Sequence, residues 1–113
     1  NASSDWLITT GTTIADNTGT VVHGLEEQPH IVIGVLECTI AEHGYILGNR
    51  VIPHMQINID ATKSDGGLTF WWDNTNMGYG ITAAANLHIV HKTAGTVHAL
   101  TEANWKVMMR AFA

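Results

Sequence analysis

The chain has 113 residues, a formal net charge of −5 and only 13% charged residues, against 45% hydrophobic ones. Five Lys and Arg residues are too few to follow a phosphate backbone, which argues against a nucleic-acid partner. No stretch approaches the roughly 18 uncharged apolar residues that a membrane helix requires, so the sequence predicts a soluble chain without membrane insertion. A chain of this length forms one domain with little stability to spare, and association would help it.

The N-terminus and the single cysteine set further expectations. Because the chain begins with Asn1 rather than Met, we expect a processed product or a piece of a longer protein. Residues 1–4 are predicted to be the end of a linker, and residues 5–113 a single β-sandwich domain. Cys38 has no second cysteine to pair with and lies in an apolar strand. We therefore expect Cys38 to be a small buried hydrophobic residue rather than a nucleophile. A single cysteine also fits a protein made in a reducing cytosol.

The first third of the chain predicts short strands separated by turns. Polar and glycine-rich residues from Gly11 to Gly19 supply turn chemistry between a strand over Asp5–Thr10 and another over Thr20–His23. A long strand follows from His30 to Thr39, with apolar residues at both odd and even positions. A strand of that kind is covered on both faces, so we expect a partner against one of them.

Alternation and turn residues predict the next elements. From Val51 to Asp60 apolar residues occupy alternate positions, which is typical of a half-buried strand. Lys63–Gly67 is typical of a hairpin loop, and Leu68–Asp73 of the strand that follows it. Asn74–Gly80 is predicted to be a polar bend, and residues 81–85 fit no single element.

Two strands are predicted near the C-terminus. The first covers Asn86–His91, and the second covers Trp105–Phe112 after a single helical turn at Thr101–Asn104. Four residues of the last strand share a face: Trp105, Val107, Met109 and Ala111. The fold class predicted is therefore all-β, a small antiparallel β-sandwich of about six to eight strands, since no segment has a helical period.

The ionisable residues do not form a recognisable catalytic or metal site. Among the seven histidines, His88 and His91 lie three apart on a predicted strand, which points them to opposite faces. Surface or subunit-contact histidines are the preferred interpretation, although a trimer axis would gather three copies of one histidine. No serine lies in a nucleophile elbow and no glycine-rich run precedes a helix, so we expect no enzyme and no cofactor.

Trp71, with Asp73, Asn74 and Tyr79 as polar neighbours, is the candidate ligand-binding site. Trp72 shares a face with the apolar residues of its strand, so Trp71 is expected to project outward. An outward indole beside a carboxylate, a carboxamide and a tyrosine is typical of a sugar site. The alternative is that Trp71 lies in a subunit interface, where aromatic residues are enriched.

Two other residues carry specific expectations. Gly34 interrupts a row of large apolar residues, and a missing side chain inside a strand marks close approach of another backbone or a bulky ring. Arg110 lies between Met109 and Ala111 and is expected to belong to an ion pair, with Glu37 as one candidate partner.

Several segments together resemble the C-terminal domain of bacteriophage tail-fibre and virion-fibre proteins, a domain similar in plan to H-type lectins. The segments that carry the resemblance are His23–Leu25, Pro29–Thr39, Gly44–Val51, Asp73–Asn76 and Leu100–Phe112. The resemblance implies a homotrimer located on the virion, made in the host bacterial cytoplasm, in contact with other virion proteins and with a bacterial surface glycan. H-type lectins bind sugar at subunit boundaries, so a sugar site and an interface at Trp71 are compatible. The alternatives are a purely structural virion decoration or capsid-fibre module without ligand, and a free-standing lectin.

Overall fold

The computed structural model of the chain describes residues 7–8, 18–52, 58–59, 64–65, 68–81 and 87–112. These residues form β-strands and one 3₁₀ turn, which confirms the all-β prediction. The strands are β1 (Leu7–Ile8), β2 (Thr18–Val22), β3 (Ile31–Cys38), β4 (Arg50–Val51), β5 (Asn58–Ile59), β6 (Ser64–Asp65), β7 (Leu68–Trp72), β8 (Asn76–Ile81), β9 (His88–Val90), β10 (Val97–Ala99) and β11 (Trp105–Phe112). The 3₁₀ turn spans Glu102–Asn104, where a single helical turn is predicted.

The larger sheet, called sheet A, has the strand order β1-β11-β3-β4 and is antiparallel throughout. Its centre is the pair of β3 and β11, which oppose each other over their full length from Cys38 and Trp105 to Ile31 and Phe112. The face of β11 that the sequence predicts to be apolar is fully buried, at Trp105, Val107, Met109 and Ala111. This pair therefore supplies one half of the core.

The second sheet, called sheet B, has the order β2-β8-β7, with β8 in the centre. The prediction of a polar bend over Asn74–Gly80 is wrong, because Asn76–Ile81 forms this central strand. Only Asp73–Thr75 turns the chain, with the Asp73 N–H donating to the Asn76 carbonyl at 2.9 Å. The segment is a tight hairpin rather than a loop.

Two small hairpins complete the described structure. In one, β9 pairs with β10, and β9 falls within the strand predicted over Asn86–His91. In the other, β5 pairs with β6, so Ser64 and Asp65 lie in a strand rather than in the predicted hairpin loop. The predicted strand over Val51–Asp60 is represented by β4 and β5, and its middle, residues 53–57, lies outside the described residues.

Sheets A and B face each other, with β3 opposite β7 and β11 opposite β8. The Phe70 ring occupies the space where a Cβ atom of Gly34 would stand, which confirms the predicted close approach of a bulky ring. Trp72 packs against the core, as predicted, and its indole N–H donates to the Pro29 carbonyl at 3.0 Å. The four largest fully buried side chains of the described residues come from both sheets: Trp105, Tyr79, Leu36 and Met77.

The face of sheet A that points away from this core is also apolar. Ile31 and Ile33 are 50% and 37% exposed there, while Val35 and Met108 are buried. Arg50 pairs with Glu37 and Val51 with Leu36, so Ile52, which follows β4, comes next in line with Val35 and is 79% exposed. We call this set the apolar outer face: Ile31, Ile33, Val35, Ile52 and Met108.

Charged residues also lie on this side of sheet A: Glu37, Arg50 and Lys106 at one end, and Arg110 opposite Ile33. Glu37 accepts from Arg50 at 2.9 Å and from Lys106 at 3.0 Å. Burial raises the pKa of Glu37, but these two cations outweigh it, and the pKa lies below its usual value. The candidate pairing of Arg110 with Glu37 is therefore wrong; Arg110 lies opposite Ile33, and its guanidinium is over the Phe112 ring at 5.1 Å.

Candidate ligand-binding site

Trp71 lies on the outer face of sheet B, as the alternation in β7 predicts, and is 38% exposed. Its cross-strand partner is Gly78, and beyond Gly78 in the same row is Thr20. The indole atoms Cζ2 and Cε2 lie 2.7 and 2.8 Å from the position that a Cβ atom of Gly78 would take. The indole therefore lies across the central strand, in space that only a glycine leaves free.

The next row of sheet B gives an open strip beside the indole. Thr18, Gly80 and Thr69 oppose one another there, and both threonines are exposed. No atom lies within 4 Å of a Cβ position built on Gly80. Two hydroxyl-bearing side chains thus flank a stretch of bare backbone next to Trp71.

At the other side of Trp71, the β7–β8 turn borders an open depression of about 400 Å³. Its lining carries carboxamide, hydroxyl and carboxylate groups: Gln28, Asp73, Asn74, Thr75 and Asn76. Asp73 follows Trp71 by two residues, a rise of about 6.6 Å along a strand. Trp71 itself does not line the depression, which begins two residues further along the chain, at Asp73.

Asp73 holds the turn that shapes this depression. Its Oδ1 accepts from the N–H groups of Asn76 at 2.7 Å and of Thr75 at 2.9 Å. These two backbone hydrogen bonds lower the pKa of Asp73, so the carboxylate is ionised at neutral pH. Asp73, one of the three predicted polar neighbours of Trp71, thus already has a structural role in the β7–β8 turn.

His23 fixes the loop of residues 23–30 against the same turn, and the sequence analysis named it only as part of the segment His23–Leu25, not as a site residue. His23 is buried, and its backbone N–H donates to the Thr75 carbonyl at 3.1 Å. Its ring Nδ1 accepts from the Leu25 backbone N–H at 3.1 Å. Because Nδ1 is an acceptor, Nε2 carries the proton and donates to the Asp73 carbonyl at 2.9 Å. This loop brings Gln28 to the depression.

Tyr79 does not belong to the site. It lies on β8 opposite Phe70, is fully buried, and its hydroxyl has no hydrogen-bond partner among the described residues. The signal that would have corrected the assignment is alternation, because Met77, Tyr79 and Ile81 point inward between polar or glycine positions. Asn76, which the sequence analysis did not name as a site residue, lines the depression instead.

A carboxylate and a histidine cluster lie at the other end of the molecule. Glu42 accepts from the Thr101 N–H at 2.9 Å, from the Asn104 amide at 3.1 Å and from the Trp105 indole. The rings of His43 and His98 stack with their centroids 4.6 Å apart. Within the described ranges no group of three or more His, Cys, Asp or Glu residues has the arrangement of a metal site.

Comparisons with protein-family models, with curated proteins and with solved structures give no match to this chain. The resemblance to phage fibre domains and H-type lectins therefore stays a prediction. In the part of the chain that the structure describes, no helix has the length and hydropathy that crossing a membrane requires.

Proposed function

We propose that this chain is a fibre-type domain of a phage virion that associates into a homotrimer and binds a saccharide of the bacterial surface. The observation that carries the proposal is the half-exposed Trp71 indole, held over Gly78 between a threonine-lined strip and a polar depression. An indole face packs on the C–H groups of a sugar ring, and amide and hydroxyl groups pair with its hydroxyls.

The way that Trp71 is held favours binding. Its indole rests on backbone atoms of the central strand, and the neighbouring turn is fixed by hydrogen bonds to Asp73. When the side chains of a site are already ordered, binding does not require the entropy loss of ordering them, so a larger part of the contact energy contributes to affinity.

The apolar outer face of sheet A is the surface through which we propose that copies associate. Ile31, Ile33 and Ile52 are exposed there, and this face lies on the opposite side of the sandwich from Trp71. Association through sheet A therefore leaves each Trp71 open to solvent. Three weak sites on one assembly would then engage a surface glycan together, which raises the overall affinity.

The alternative function is a purely structural virion module without ligand. The observation that favours it is that the polar groups of Asp73 and His23 already form hydrogen bonds within the protein, which hold the turn and the loop in place. In that case the depression is only the outside of a well-formed turn, and Trp71 is a residue that another virion protein covers.

The test is binding of the wild-type chain and two variants to a glycan array and to host cells. Trp71→Ala removes the proposed platform, and Val97→Ala is the matched control, because Val97 is 64% exposed on the β9–β10 hairpin. We expect the first variant to lose binding and adhesion while the control keeps both. Equal binding by all three proteins would remove Trp71 from the site, and no binding by any of them would favour the structural module.

A further inference from the structure

We infer that the Trp71 site selects its saccharide by charge, accepting uncharged hexoses and disfavouring sugars that carry a carboxylate, sulfate or phosphate. This inference rests on the proposed saccharide binding and names the class of ligand. It follows from where the charged side chains of the described residues lie.

One carboxylate, that of Asp73, lines the depression, and two more lie on the neighbouring loop. Asp73 is ionised at its rim, and Glu26 and Glu27 are exposed on the loop that brings Gln28 to it. Two hydrogen bonds anchor the two ends of this loop. The His23 backbone N–H donates to the Thr75 carbonyl, and the Trp72 indole N–H donates to the Pro29 carbonyl. The two glutamates are therefore held close to the turn rather than free to move away from it.

The cations of the described residues lie elsewhere. Arg50 and Lys106 bind Glu37 on the outer face of sheet A, and Arg110 is over the Phe112 ring on that same face. Lys92 donates to Asn49 at 2.9 Å in the connection between β3 and β4. None of these four lines the depression or lies in the rows of sheet B that hold Trp71.

Binding of an acidic sugar requires a donor for its charge, which in proteins is most often an arginine or lysine. At this depression the acidic group would instead meet the Asp73 carboxylate, with Glu26 and Glu27 exposed on the adjacent loop. These charges are exposed, so salt screens their repulsion, and the expected discrimination is moderate rather than absolute.

The test compares saccharides that differ only at C6, a hydroxymethyl group in one set and a carboxylate in the other: the methyl glycosides of glucose, galactose and mannose against the corresponding uronic acid glycosides. The readout is the Trp71 indole N–H resonance in NMR titrations of the full chain. For the hexose that binds, we expect the uronide to bind about tenfold more weakly near 0.01 M ionic strength. Near 1 M salt, where the Debye length is about 3 Å, the difference should shrink to less than about twofold.

Variants identify the source of the discrimination. The double change Glu26→Gln and Glu27→Gln should reduce the preference to about threefold or less at low salt. The matched control is Glu102→Gln, a carboxylate on the 3₁₀ turn before β11, which should keep the tenfold preference. Equal effects of the two changes would overturn the role of the loop.

The outcomes separate the inference from the function on which it rests. A uronide that binds as tightly as its hexose at low salt, or more tightly, would overturn charge selection and leave saccharide binding in place. If no hexose or uronide moves the Trp71 resonance, and Trp71→Ala also binds the glycan array and host cells like wild type, the proposed function fails and the inference fails with it.

Discussion

At the scale of single residues, two glycines determine where aromatic rings lie. Gly34 makes room for Phe70 inside the sandwich, and Gly78 makes room for Trp71 on its surface. The first could be predicted from the sequence, because a glycine within a continuous apolar strand signals a close neighbour. The second could not, because Gly78 and Gly80 beside polar residues have the composition of a bend, and only the pairing with β2 and β7 makes them strand positions.

Gly34→Val should destabilise the fold more than Ile31→Val. A valine side chain at position 34 overlaps the Phe70 ring, and overpacking of a closed contact costs about 1–3 kcal/mol. Ile31 is half exposed, so loss of one methylene there should change stability by about 0.5 kcal/mol or less. Urea unfolding of the two variants measures the difference, and equal free energies of unfolding would contradict the packing described here.

Gly78→Ala and Gly80→Ala form a matched pair on the outer face of sheet B. The methyl group at position 78 meets the Trp71 indole and the Gly19 carbonyl, so we expect a cost of about 1–3 kcal/mol and a displaced indole resonance. The methyl group at position 80 enters open space and should leave both quantities nearly unchanged. Identical spectra of the Trp71 indole in the two variants would show that the ring does not rest on Gly78.

At the scale of secondary-structure elements, the strands with a long apolar pattern could be predicted from the sequence. The strands that depend on pairing with their neighbours could not. The long strands β3 and β11 could be predicted because each places apolar residues at regular positions over eight residues. Strand β10 escaped prediction because three residues carry too little pattern. Strand β8 escaped because its outward positions are Asn and Gly, and these residues are depleted in strands unless neighbouring strands fix them.

The loop after β3 is tied to the start of β11 by the Glu42 carboxylate. Burial raises the pKa of Glu42, but hydrogen bonds from Thr101, Trp105 and Asn104 outweigh burial and lower it below the usual 4.5. A pKa that is lowered in the folded state means that the ionised group stabilises the fold above the unfolded pKa. That contribution is lost as the pH falls below 4.5 toward the lower folded value.

Glu42→Gln should therefore destabilise the protein at neutral pH, by about 1.5–3 kcal/mol, because a charged acceptor is replaced by a neutral one. The difference between wild type and variant should narrow as the pH falls below 4.5, because the unfolded wild-type chain is protonated there first and the folded carboxylate follows only at its lower pKa. Urea unfolding at pH 7 and at acidic pH measures both quantities. A difference that is independent of pH would show that Glu42 acts through its shape rather than its charge.

At the scale of the whole molecule, the two outer faces of the sandwich differ in character. The outer face of sheet A exposes isoleucines, whereas the outer face of sheet B carries threonines, glycines and one indole. The apolar side was predictable from the two-faced pattern of β3. The lining of the candidate site at the β7–β8 turn was predictable only in part, because it includes Gln28 from the loop of residues 23–30, which is distant in sequence.

The wild-type chain should sediment as an assembly at micromolar concentration, and we expect three times the chain mass of 12.2 kDa. Ile33→Lys replaces an exposed apolar side chain of this face by a second cation opposite Arg110 and should give monomers that remain folded. Val97→Lys, on the exposed β9–β10 hairpin, is the matched control and should leave the assembly intact. A wild-type particle of 12.2 kDa would contradict association.

Whether the molecule is an adhesive domain depends most directly on Trp71. The decisive measurement is a titration of the assembled chain with surface polysaccharide from host bacteria, followed through the indole N–H resonances of its tryptophans. We expect the Trp71 resonance to shift in a saturable way while those of the core residues Trp72 and Trp105 stay in place. A Trp71 resonance that does not move at any polysaccharide concentration, in a chain that is folded and assembled, would contradict saccharide binding at this site.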